Sequence, residues 1–316
     1  MKHFKFTLLA ISCLLALTAC SSSSGGGGGS APTYFTEKPQ TESTSSSGSN
    51  TSVNQNTETS PQNEPKTLKD PIFQGKNGDK LVGALVTITP NGQISGQNLT
   101  SYLGEDLNVL MLNKVEIPLL PTSADDDQSG FKAITSTEAT AKLGNIQGYT
   151  NKATTDYRDT RYYQFVRFGV VSLNNQNTLF VQGLQTPISG SISDIENGYA
   201  TLYSMPKSGK FVYKKGDALY GKDGNYEQLT ADVSADFTNK QLSVSLKDSA
   251  TKAEKVAFSS VIDGNTFSGS HNGVDSKGAF YGSQANQVAG VFYRTEGTEA
   301  GYHGVFGATD KRRDAQ

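Results

Sequence analysis

From Pro71 to the end the chain reads as short strand-like runs separated by Gly and Asn, with an apolar–polar period of two dominant among them. The run "QLTADVSADF" (228–237) sets Leu229, Ala231, Val233, Ala235 and Phe237 on one face, and "QLSVSLKD" repeats the pattern with Leu242, Val244 and Leu246 after a turn at Thr238, Asn239 and Lys240. In "YYQFVRFGVVSLNNQNTLFVQGL" (162–184) two β-rich stretches flank Asn174, Asn175, Gln176 and Asn177, a hairpin signal, and "NVLMLNKVEIPLLP" (108–121) reads as two short strands around Asn113 and Lys114. Further runs, "GYATLYS", "KFVYKK", "KVAFSSVI", "FSGS", "GAFYGS", "AGVFYRT" and "YHGVFGA", follow at short spacing. This rhythm predicts an all-β fold, an antiparallel barrel or sandwich, and about eight runs after residue 160 suffice to close a small barrel filled by its own side chains. A helix is predicted only at "STEATAKLG" (136–144), with Ser136 or Thr137 as its cap.

The N-terminal quarter has a different texture. Lys2 and Lys5 precede an apolar run from Thr7 to Leu17, the length of a secretory h-region and too short to span a bilayer. Leu17-Thr18-Ala19-Cys20 resembles the lipobox of bacterial lipoproteins, which implies a signal peptide over residues 1–19 and lipidation at Cys20. Cleavage there also removes Cys13, so no disulfide is expected in the mature chain. Residues 20–70 are Ser, Gly, Thr, Asn, Gln, Pro and Glu with hardly an aliphatic side chain, and such a stretch cannot offset its ordering entropy. A disordered tether is expected, with a root-mean-square reach of about 35 to 42 Å. Ser21 stands after Cys20 where an aspartate tends to mark inner-membrane retention, which favours an outer-membrane lipid anchor and display at the surface of a Gram-negative cell.

Charge and composition narrow the partners. Without Lys2 and Lys5, 26 basic residues face 30 acidic ones, and no basic block is long enough for a nucleic-acid footprint. No nucleic acid is expected, and the bilayer is met only through acyl chains on Cys20. The mature chain has two histidines, His271 and His303, with no cysteine near either, so no metal site is expected. Asp125, Asp126 and Asp127 lack the alternate-residue liganding of a calcium loop and read as a solvated loop. No nucleophile elbow or phosphate loop is present, so no catalytic residue is assigned and an enzyme is not expected. No cofactor is called for; haem enters only as candidate cargo.

"GAFYGSQANQVAGVF" (278–292) followed by "HGVFGA" (303–308) resembles the closing barrel strands of the transferrin-binding protein B family of surface lipoproteins. Upstream, "YQFVRFGVV", "LFVQGLQTPISG" and "GYATLYS" occur in the order in which that family's barrel begins, and "LNVLMLNKVEIPLLP" is similar to the start of its handle. The same strands resemble the barrels of factor H-binding protein and of the haemoglobin–haptoglobin receptor lipoproteins. The resemblance implies a handle-like β subdomain at 71–160, an eight-stranded barrel at 161–310 and a polar tail at 311–316, with Gly278, Gly282, Ala285, Gly290 and Gly307 serving the fold.

It further implies a binding protein. The expected partner is a host iron or haem carrier of transferrin or haemoglobin type, with an outer-membrane transporter as candidate second partner. The alternatives are complement factor H or a small ligand, haem or lipid, enclosed by the barrel. The candidate interface is the Tyr- and Arg-rich cluster Tyr157, Arg158, Arg161, Tyr162 and Tyr163, residue types that act as binding hot spots. A second candidate is "YSMPKSGKFVYKKGDALYG" (203–221), with Met205, Tyr213 and Tyr220 exposed.

Overall fold

The computed structural model describes residues 81–89, 92, 94–98, 106–120, 130–154, 162–173, 176–192 and 201–314. The signal peptide, Cys20, the tether, Asp125 to Asp127, and Tyr157, Arg158 and Arg161 lie outside them.

Two large antiparallel sheets make up most of the described part, beside two two-stranded ones, of which one pairs β9 (Ser191–Ile192) with β10 (Leu202–Tyr203). The first, the handle, consists of β1 (Val82–Ile88), β2 (Ile94–Asn98), β5 (Phe131–Ala133), β6 (Ile146–Asn151), β7 (Val166–Leu173) and β8 (Gln176–Gly183), in the order β2-β1-β8-β7-β6-β5. Its central strands are apolar on both faces because both faces are covered. Leu85, Val171 and Phe180 pack on Leu110, Ile117 and Leu119 of the hairpin formed by β3 (Val109–Leu112) and β4 (Val115–Pro118), and on Ala139 of helix α1 (Thr137–Leu143). Two buried polar side chains fix that hairpin in place: Arg167 donates to Asn108 Oδ1 from Nη2 at 2.7 Å, and Gln182 Nε2 donates to the Leu107 carbonyl at 2.8 Å. The Asn113-Lys114 turn has both residues at positive φ, as a two-residue hairpin requires, and Ser136 Oγ caps α1 by accepting from Ala139 N at 3.1 Å. These are the turn and the cap expected from the sequence.

The second sheet is a closed barrel: β11 (Lys210–Lys222), β12 (Asn225–Asp236), β13 (Gln241–Asp248), β14 (Glu254–Asp263), β15 (Thr266–His271), β16 (Val274–Tyr281), β17 (Gln287–Arg294) and β18 (His303–Arg313), each paired with the next and β18 with β11. The faces expected from alternation point inward: Leu229, Ala231, Val233, Leu242, Val244 and Leu246 are buried with Phe258, Phe267, Phe280, Phe292 and Phe306. The rings fill the lumen, with neighbouring centroids 5.6 to 6.4 Å apart. Gly278 and Gly290 face each other beneath the Phe267 ring, where a Cβ on either would come within 2.2 and 2.7 Å of its Cζ. Gly307 faces outward and takes the Phe168 ring of the handle, 2.4 Å from where its Cβ would be. The assignment of these glycines to the fold holds.

The eight-stranded barrel is therefore as expected, but it begins later. The hairpin 166–183 is the centre of the handle sheet, not the start of a barrel expected at residue 161, and closure uses only strands from Lys210 onward. Alternation counts strands without saying which sheet they join, and β7 and β8 bond to β1 and β6. Residues 311–313 belong to β18 rather than to a polar tail.

The handle packs side-on against β16 to β18, through Phe168, Val170 and Val181 on Ala279, Ala289, Val291 and Val305. Two poles follow from the pairing. Val82, the first residue of β1, pairs with Gly183, which lies against Tyr281 at the end of β16. The chain thus enters the lobe at the near pole, the end that holds the Asp236 to Gln241 and Gly282 to Asn286 turns. The far pole holds Ile88, the β7–β8 turn, the Asp223-Gly224 turn and the loop 295–302.

Candidate functional site

The handle and barrel loops of the far pole enclose an open cleft of about 1220 Å³. One wall comes from the handle: Ile88, Thr89 and Gly92 at the end of β1, Asn145 and Gln147 at the start of β6, and Ser172 and Asn177 beside the β7–β8 turn. The other comes from the barrel: Lys222, Asp223, Gly224 and Asn225 in the β11–β12 hairpin, then Tyr293, Arg294, Thr295, Ala300, Gly301 and His303 around the loop before β18.

Local rules explain the walls. Asp223 and Gly224 both have positive φ, a two-residue turn that suits the twist of paired strands and brings Gly224 beside Asn177 Oδ1, 3.7 Å from its Cβ position. Asn177 is buried and accepts from Ser172 Oγ at 2.6 Å. The loop 295–302 is braced by Glu299, whose Oε2 accepts from Tyr220 OH at 2.8 Å and from Arg294 Nη1. Burial, then the Glu299 hydrogen bond, raises the Tyr220 phenol. Arg294 Nε is buried and has no hydrogen-bond partner among the described residues.

His303 forms the back of the cleft. Its Nδ1 lies 2.8 Å from the Gly301 carbonyl and so carries the proton; Nε2 accepts from Tyr226 OH at 2.7 Å, and the ring stacks on Tyr293 at 7° between planes. Both nitrogens are occupied, which leaves none for a metal or haem iron. His271, the other histidine after Cys20, is exposed at the end of β15, and no group of metal-ligating side chains occurs among the described residues.

Burial lowers the pKa of His303 to about 4. A histidine whose folded pKa lies below its unfolded value of about 6.5 stabilises the fold above that value, and the contribution is lost as pH falls toward 4. Asp217 acts in the opposite sense, since burial raises its carboxyl. We expect His303 to account for a loss of about 3 kcal/mol between pH 7.5 and pH 4. Urea unfolding at both pH values should show a smaller loss in His303→Gln than in the wild type; parallel losses would contradict it.

The structure redistributes the residues expected at an interface. Tyr163 is 2% exposed; its hydroxyl lies 2.8 Å from the Gly307 carbonyl and 3.2 Å from Asp217 Oδ2, pinning handle to barrel. Tyr162 is half-buried at the same seam, with Lys215 Nζ 4.4 Å above its ring. Tyr213 is 4% exposed and donates to the Ala285 carbonyl at 2.8 Å, and Tyr220 is buried. Met205 is half-buried against the barrel core. The expected surface roles of Tyr163, Tyr213 and Tyr220 are thus corrected: each sits in β alternation or at the seam where its ring faces inward and its hydroxyl finds an internal acceptor. None of them lines the far cleft except through Tyr220's hold on Glu299. The cleft itself had no sequence signature, because its walls come from segments some 200 residues apart that only the fold brings together.

Residues 205–310 match the family model for the C-lobe and N-lobe β-barrels of Tf-binding protein B. The chain carries a barrel of that type, as the closing-strand resemblance implied. An uncharacterised protein of Haemophilus influenzae is 29% identical over 242 residues, covering 72% of this chain and 75% of that protein. Among solved structures, the isotype 1 transferrin-binding protein B of serogroup B Neisseria meningitidis aligns at 18% identity and a TM-score of 0.49, over 74% of this chain and 44% of that one. A mutant of the Haemophilus parasuis protein aligns at 20% identity and a TM-score of 0.49, over 74% and 46%. The chain spans less than half the length of these transferrin-binding proteins.

Proposed function

We propose that this protein is a lipid-anchored lipoprotein of the outer-membrane surface that captures a host iron or haem carrier, of transferrin or haemoglobin type, for nutrient uptake. The observation that carries this reading is the match of residues 205–310 to the Tf-binding protein B barrel, a domain of a binding protein. The lipobox-like Leu17 to Cys20 and the polar stretch after it supply the anchor and the leash. The far cleft is the binding region in this reading, since it lies opposite the pole where the chain enters the lobe and is built from loops held by two rigid sheets. A barrel that encloses haem or lipid is disfavoured, because Phe258, Phe267, Phe280, Phe292 and Phe306 occupy its lumen.

The test is capture from host serum and haemolysate on the immobilised chain after residue 20, with retained proteins identified by mass. Retention of transferrin or haemoglobin is expected. Retention of factor H would replace nutrient capture by immune evasion, and an empty support would contradict host-protein binding altogether.

A further inference from the structure

Resting on the reading that the far pole meets a host protein, we infer that the far cleft recognises an uncharged oligosaccharide, the glycan of a host glycoprotein. The cleft is larger than a drug-sized pocket, and both its walls are lined by carboxamides: Asn145 and Gln147 from the handle, Asn177 at its base, Asn225 from the barrel. Each carboxamide offers two donors and an acceptor, which matches sugar hydroxyls that both donate and accept. Ser172 and Thr295 extend the same chemistry.

Among the described residues of these walls, the large apolar anchors of a protein–protein interface core do not occur. Ile88 and Ala300 are the only aliphatic side chains among their described residues, and the exposed Ile188 and Tyr203 belong to the opposite pole, Ile188 near the Gly264 turn and Tyr203 beside Ser283. Tyr293, held parallel to His303, provides a flat aromatic ring of a kind that packs on a sugar face. The charges cancel: Arg294 is paired with Glu299, Lys222 is offset by Asp223, and His303 is neutral with both nitrogens engaged. A phosphate or a nucleic acid would meet no net positive field here.

The experiment is saturation-transfer NMR on the whole chain after residue 20, with a free biantennary N-glycan as probe, in sialylated and desialylated forms. Transfer to both forms is expected. It should fall at least tenfold in Asn145→Arg/Asn225→Arg, whose positions are both exposed, and stay unchanged in Ile188→Ser at the near pole. No transfer to either form, equal transfer in the cleft variant, or transfer to the sialylated form alone would each overturn the assignment. Capture of the host protein is measured alongside, before and after its glycans are removed enzymatically, with at least a tenfold loss expected. Undiminished capture of the deglycosylated protein would overturn the glycan inference and leave host-protein binding standing. Glycan transfer without any host capture would do the reverse.

Discussion

Phe306→Ala is expected to destabilise the protein by about 3–5 kcal/mol, the usual result of deleting a fully buried aromatic ring from a packed core. Phe306 has no exposure, and its ring meets those of Phe258, Phe267 and Phe292 at 5.6, 5.9 and 6.4 Å. The loss has two sources, the transfer energy of the ring and the cavity it leaves, because strands locked into a closed ladder can move inward only slightly. Phe306→Leu, which keeps most of the volume, should cost markedly less. Urea unfolding followed by circular dichroism measures both variants. A loss under about 1 kcal/mol for the alanine variant would mean that the lumen is loosely filled, and would return the enclosed-ligand reading to consideration.

The barrel was legible because its strands obey one rule for a long stretch. Leu229 to Phe237 and Leu242 to Leu246 alternate cleanly, since one face meets the lumen and the other water. The handle was less legible for the same physical reason in reverse. In β7 and β8 both faces are covered, so "VRFGVV" and "TLFVQG" lose their alternation and give no hint of which sheet holds them. The tyrosines misled because a side chain suited to an interface is equally suited to a seam. Tyr163 and Tyr213 have a large apolar ring and a hydroxyl needing one partner, and the Gly307 and Ala285 carbonyls supply it internally. The cleft could not be read at all: Asn145, Asn177, Asn225 and Thr295 lie at unrelated strand ends and loops until the two sheets pack together.

The second large effect concerns binding. Asn145 and Asn225 stand exposed on opposite walls of the far cleft, so Asn145→Arg/Asn225→Arg fills it with two long cations without touching a core residue. If the cleft holds the centre of the interface, losing contacts of hot-spot strength there weakens capture by on the order of 100-fold. The fold should be unaffected, because neither side chain is buried, and an unchanged urea midpoint verifies that.

The near pole provides the matching control. Ile188 is 57% and Tyr203 55% exposed there, so Ile188→Ser/Tyr203→Ser removes two exposed apolar side chains of that pole, again without entering the core. The decisive measurement is the equilibrium affinity of the captured host protein for the wild type and these two double variants, made side by side at one ionic strength. Expected is a loss on the order of 100-fold for the cleft variant and an unchanged affinity for the near-pole variant. Wild-type affinity in the cleft variant, with the loss appearing in the near-pole variant instead, would contradict the far cleft as the binding site.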